Sequence, residues 1–381
     1  MIYKIDTWQK INNEGNIVQE VYCLSDMHAY EWVRPEQVIE FNNIEQSQRT
    51  MLINASQQIQ KNKTLFIVED PYSVKPDTHS KIAAYLPLLK PACFAQPEGK
   101  RPSFVMFLDA ILQSHNFSVF NVECRQQRMI SHSFLSTLQE LRQTRQPILK
   151  SFSINIKKLY GPTLCDIGHE FVTALNTIKE YQQTDGPILS DYYAGIITKL
   201  ESTQPFIDLL LQASPSLYYW DICDAANSTI VQEFYSAFLL WGLELVDAYA
   251  LHALYAAQDK EKVYIIMGGI HTHNINLILP KLDYTKVETI GTDSLTEQEH
   301  ADLATIRASL FDVNQFVPTK PTTWLECFKK RLTSLWSNNI LTDTINKDVQ
   351  KTDAHKKLIA KLTYVQPLDT AHWKILSAEK Q

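Results

Sequence analysis

Four short apolar runs, each closed by ionisable side chains, constrain this chain more than any other feature. "NIVQEVYCLSDMH" ends at Asp26 and His28, "KTLFIVED" at Glu69 and Asp70, "FSVFNVECR" at Glu123 and Arg125, and "KVYIIMGGIHTH" at His271 and His273. A fifth run, "TKVETIGT", follows them. Short runs rich in β-branched and aromatic residues, bounded by turn formers, are strand signals. Longer stretches of helical pattern separate them, at 35–61, 101–115, 131–147, 165–183, 187–213 and 227–257. Pro35 is well placed to open the first of these helices. Strands alternating with helices predict an α/β fold, with a mainly parallel central sheet flanked by helices.

The 381 residues suffice for a sizeable core, which the pattern places in residues 1–295. Within that span residues 150–258 are largely helical and form a layer or an insertion. Residues 296–381 read as a helical C-terminal extension, polar throughout, with "PTKPTT" as its linker. The most apolar long segment, "EFYSAFLLWGLELVDAYALHALYAA", is interrupted by Glu233, Glu244 and Asp247, so it predicts a buried helix rather than a membrane span.

Charge and cysteine usage narrow the classes. A formal net charge of -6 argues against a nucleic-acid-binding surface, which is normally basic. The six cysteines are scattered without a CxxC pair, unlike a disulfide scaffold or a zinc ribbon. "MIYKIDTWQK" lacks the apolar core of a signal peptide, so a cytoplasmic, reduced location is the expectation.

In open parallel sheets ligands bind in the crevice beyond the carboxyl ends of the strands. Two histidines and a carboxylate from separate strand ends are suitable ligands for a divalent metal, and Mn, Co, Zn and Fe all accept such a set. A metal with an open position acidifies a bound water, and a spare carboxylate can serve as its base. Each residue also has a plainer reading. His28 and the "GGIHTH" pair suit turns, His273 suits the first turn of a helix, and Glu69 and Asp70 suit helix caps. Arg125 fits either an anionic substrate or a neighbouring carboxylate. Adjacent charges alone do not make Cys124 a nucleophile. His271, directly after the apolar run, is the stronger of the histidine pair.

"SDMH" (25–28), "FIVED" (66–70) and "GGIH" (268–271), in that order, resemble the TraB/TIKI/ChaN/erythromycin-esterase superfamily. The late segment is the closest match, because "LVDAYALHALYAAQDKEKVYIIMGGIHTHNINLILPKLDY" runs helix, strand, GxxH and helix as those proteins do. It is also similar to members from large DNA viruses and intracellular bacteria. "NVECRQQR" resembles the Arg-bearing strand end of the same group, and Ser25 stands where the family commonly has Gly. The resemblance covers 17–292 in outline. It implies an active-site edge carrying His28, Glu69 and His271 as metal ligands or acid/base groups. Arg125 would contact an oxyanion or substrate anion, with Asp26, Glu123, Asp247 and His273 in support. Its TIKI branch holds metal-dependent proteases, its esterase branch hydrolyses a lactone through His and Glu, and its ChaN branch is associated with haem. The implied function is a metal-dependent hydrolase of an ester, lactone or peptide bond, acting on a small molecule or a peptide. A non-catalytic protein binding haem, metal or a partner on the same scaffold is the alternative. "SDMH" and "GGIHTH" also resemble the DxH and GHxH motifs of calcineurin-like metallophosphoesterases, which would gather Asp26, His28, His271 and His273. No "GNHD" or "GNHE" completes that pattern.

Overall fold

The computed structural model describes residues 2–26, 35–70, 104, 108–123, 163–215 and 228–291. In chain order these form β1 (Ile2–Ile11), β2 (Ile17–Asp26), α1 (Pro35–Gln57), β3 (Thr64–Val68), α2 (Leu108–Ser114) and β4 (Ser118–Asn121). Then follow α3 (Leu164–Thr184), α4 (Gly186–Glu201), α5 (Gln204–Leu211), α6 (Ser228–Ala256), β5 (Lys262–Gly268), α7 (Gly269–Ile278) and β6 (Tyr284–Gly291). His28, Cys124, Arg125 and the extension expected over 296–381 lie outside the described residues.

The six strands make one sheet in the order β4-β3-β5-β2-β1-β6. β4, β3, β5 and β2 run parallel, as expected, while β1 is antiparallel to both β2 and β6. The carboxyl ends of β2, β3, β4 and β5 therefore share one edge of the sheet. β5 comes late in the chain yet sits between β3 and β2, so "KVYIIMG" is covered by a strand on each side and a helical layer on each face. That explains its unbroken apolar character.

Alternate side chains divide the core between the two faces. Val21, Cys23, Ile67, Val263, Ile265 and Met267 pack against the α3–α7 helices. Of the segment 150–258, the described helices α3–α6 share a core with this face of the sheet. On the other face Tyr22, Tyr264 and Phe66 lie in register across β2, β5 and β3. Their rings stack at 4.9 and 4.8 Å between centroids, over Leu52 of α1 and Leu108 and Leu112 of α2.

Local chemistry sets the element ends. Thr163 and Asp166 form a reciprocal capping box at the start of α3. The helix expected over 187–213 is two helices, because Pro205, in the first turn of the second, lacks the amide that would continue the hydrogen-bond ladder of the first. Thr203 at the break accepts a 2.9 Å hydrogen bond from the indole of buried Trp241. β1 is a strand that the hydrophobic pattern does not predict. Its polar face is buried: Lys4 meets Asp6 at 2.9 Å, and Asp6 also accepts from Asn276 of α7 and Thr289 of β6, both at 2.7 Å. Among the described residues no helix is long and apolar enough to cross a membrane.

Candidate active site

β5 ends at Gly268, and α7 begins on the next residue, so "GGIHTH" is a strand-to-helix junction. Both histidines belong to α7 rather than to a loop. Five contacts hold this junction in place. Glu69, just past β3, accepts the Gly268 amide at 2.7 Å through Oε2. That is the capping contact the sequence allowed, made at the positive end of the α7 dipole. The Glu69 amide donates to the Ile266 carbonyl at 3.1 Å, extending the β3–β5 ladder past the strand. Ser25 and Thr272 share a buried 2.7 Å hydroxyl contact, and Thr272 also donates to the Gly269 carbonyl at 3.0 Å. Finally, the Tyr3 ring closes over the Cα of Gly269.

That last contact makes Gly269 a packing requirement. A Cβ there would overlap the Tyr3 hydroxyl and lie 3.0 Å from its Cζ. Tyr3 is itself 4% exposed, which leaves its ring little room to yield. Gly269→Ala is expected to destabilise the fold by about 1–3 kcal/mol, as overpacking does. Urea unfolding checks this, and Tyr3→Phe in the same background should recover part of the loss.

His271 lies between two carboxylates. Its Nδ1 is 2.6 Å from Oδ1 of Asp247, on α6, and its Nε2 is 3.6 Å from Oε1 of Glu69. All three residues are buried, Glu69 at 1%, Asp247 at 2% and His271 at 4% exposed. An ionised carboxylate can only accept, so the hydrogen of a neutral imidazole resides on Nδ1 and the Nε2 lone pair faces Glu69. At 3.6 Å that pair is too far apart for a hydrogen bond. The gap is nevertheless short enough for both atoms to bind one cation. Two donors each about 2.0–2.2 Å from one tetrahedral ion stand roughly 3.3–3.6 Å apart. The His271–Glu69 spacing therefore suits a shared metal, with Asp247 as the carboxylate that orients the histidine from behind. Among the described residues no three His, Cys, Asp or Glu side chains are grouped to hold an ion.

The surrounding strand ends carry more acid. Asp26 is aligned with Gly268 across the β2–β5 ladder and is 1% exposed, so Asp26 and Glu69 flank the junction from neighbouring strands. Asp70 accepts the Asp109 amide at 3.0 Å, filling the capping role at the start of α2. Asn121 at the end of β4 acts as a bracket. Its side-chain oxygen accepts the Asp70 and Glu123 amides at 3.2 and 3.0 Å, and its amide donates to the Asp70 carbonyl at 2.8 Å. Glu123 is thereby fixed at the same edge, 3% exposed. His273 is half-buried and two residues beyond His271, a spacing that turns the side chains about 200° apart on a helix. One turn before Asp247, Glu244 pairs with Lys199 at 2.7 Å. Burial holds the Glu244 carboxyl above the usual range, while Lys199 opposes that shift.

Compared with protein-family models, with curated proteins and with solved structures, the chain matches none. The site therefore rests on its own geometry. Of the residues singled out in the sequence, Glu69, Asp247 and His271 meet directly, Asp26 and Glu123 flank them, and His273 faces elsewhere. Sequence reasoning passed over Asn274, Asn121 and Tyr3. Only Asn274 had a signal, its place three residues after His271 on a helix.

Proposed function

We propose that this protein is a metal-dependent hydrolase, acting in the reduced cytoplasm on an ester, lactone or peptide bond of a small molecule or peptide. It would be of the TraB/TIKI type that its "FIVED" and "GGIH" segments resemble. The observation that carries the reading is the Asp247–His271–Glu69 line, buried at the carboxyl edge of a parallel sheet, with 3.6 Å between Nε2 and Oε1. His271 and Glu69 would hold a divalent ion, Mn, Co, Zn or Fe, and His28 is the third donor expected from the sequence. Such an ion supplies an acidified water at neutral pH. Asp247 keeps the imidazole hydrogen on Nδ1 and the Nε2 lone pair directed at the site. Glu69, hydrogen-bonded to the Gly268 amide through Oε2, would serve through Oε1 as that ligand or, in place of it, as the general base. Burial of all three excludes bulk solvent and strengthens each electrostatic contact. The Glu69-to-His271 arrangement also weighs against the metallophosphoesterase reading, which needs His271 and His273 to face one centre.

Elemental analysis of protein purified without chelator tests this reading. Stoichiometric Mn, Co, Zn or Fe is expected in the wild type, falling at least tenfold in His271→Ala, with ester or peptide hydrolysis lost on chelation and restored by the metal. Hydrolysis that persists without metal would replace the ion with acid–base chemistry at the same pair. Metal or haem bound without any turnover would make this a binding protein.

A further inference from the structure

The molecule holds a second polar contact on Asp247. Asn274 lies one turn after His271 on α7, so the two side chains share a helix face. Asn274 Nδ2 reaches Oδ2 of Asp247 at 2.6 Å, while His271 Nδ1 reaches Oδ1 of the same carboxylate at 2.6 Å. The carboxylate accepts only, which fixes the Asn274 amide with its NH2 group toward α6.

We infer that Asn274 is a positioning residue: it grips the far oxygen of Asp247, and thereby sets the ring plane and tautomer of His271. The surroundings explain the need. Asp247 is buried, and Glu244 adds a second negative charge one turn away on α6. Tyr192 feels both charges; burial, then the two carboxylates, keep its phenol protonated well above its ordinary range. With one donor alone, a buried carboxylate can rotate about its terminal torsion, which is broad for Asp. Two donors from successive positions on one helix face remove that freedom. Asn274 touches no atom at which the proposed reaction would occur, so it acts only through Asp247. For its effect on turnover, this inference rests on the hydrolase reading above; for its effect on the imidazole it does not.

Isosteric Asn274→Asp separates this role from packing, because it keeps the shape and replaces a donor with a second acceptor. The full chain is labelled with 15N-histidine, the His271 ring signals are assigned by His271→Gln, and turnover is measured where a substrate has been found. Wild type is expected to show a protonated Nδ1 and a bare or ligated Nε2. In Asn274→Asp the ring signals should move away from that pattern and turnover should fall about 10–100-fold, as for outer partners of a ligating histidine. Asn274→Ala should fall less than Asn274→Asp, and Asn274→Gln, which retains the donor, should recover part of the activity. Wild-type ring signals in a folded Asn274→Asp overturn the inference, whatever the turnover. So does an order of loss in which Asp is milder than Ala. If Asn274→Asp does not fold, the ring signals of Asn274→Ala decide: unchanged signals overturn the inference and altered ones support it. Altered ring signals in a protein with no turnover on any substrate would uphold Asn274 and sink the hydrolase reading alone.

Discussion

Asp6→Ala is expected to lower the free energy of unfolding by about 3–5 kcal/mol, the range for removing one partner of a buried ion pair. Asp6 is fully buried, and Lys4 beside it has a side chain only 7% exposed. The alanine would take from that buried ammonium the carboxylate it faces, and would strip Asn276 and Thr289 of their acceptor. Lys286, also on Asp6 at 2.6 Å, is 38% exposed and regains water, so its share is small. Asp6→Asn should lose less, since it keeps the shape and an acceptor. Urea denaturation gives both numbers, and a loss below about 1 kcal/mol in Asp6→Ala would mean the network adds little.

The same residue predicts an acid limb. Burial pushes the Asp6 carboxyl up, but hydrogen bonds from Lys286 and Thr289 and the charge of Lys4 together outweigh it and hold the group below its ordinary 3.8. A folded value below the unfolded one means that protonation favours the unfolded chain. The stabilisation is therefore present above pH 3.8 and lost as pH falls through the folded value. Asp6→Asn should flatten that part of the stability curve, and the two unfolding curves should converge at low pH.

Glu69→Gln is expected to reduce turnover by about 10²–10⁴-fold, the range for loss of a positioned acid–base group, while leaving the fold as stable as before. The two halves of this result come from one geometry. Glutamine keeps the side chain's size and an oxygen for the Gly268 amide, and loses only the carboxylate's charge and basicity. A residue whose only task was to cap α7 would tolerate this change in every assay. Unchanged turnover in a folded Glu69→Gln would therefore assign Glu69 to the junction alone. Stability that holds or rises while activity falls is the mark of a group kept for chemistry at some expense to the fold.

Much of the frame is legible in the sequence. The runs ending at Asp26, Glu69, Glu123 and His271 contain β2, β3, β4 and β5, whose carboxyl ends lie at one edge, and the run at 284–291 is the further strand β6. Periodicity reads residues whose two sides face different media, and most of these do. β1 defeats it because Lys4 and Asp6, which look solvent-facing, are buried against each other and against α7 and β6. The 187–213 stretch misleads in the opposite direction, since apolar spacing continues across a break made by Pro205. At the site, Glu69 and His271 were visible from their places after apolar runs. Asn121 and Tyr3 were not, because what singles them out is a non-local contact. His28 and Arg125 were read from the sequence alone and lie outside the described residues.

The position of β5 has a consequence for synthesis. A ribosome that has completed β2, β3 and β4 has made three strands of the parallel sheet, but β2 and β3 are not neighbours; each waits for a partner nearly 200 residues further on in the case of β3. Until "KVYIIMG" emerges, the inner edges of both are open templates for foreign strands. The nascent protein should depend on holding factors until the last parallel strand arrives, and fragments ending before residue 262 should aggregate rather than fold. Supplying residues 258–291 in trans, as a separate peptide, is then the natural way to rescue such a fragment, and one insertion would complete the sheet and bring His271 to Glu69 together.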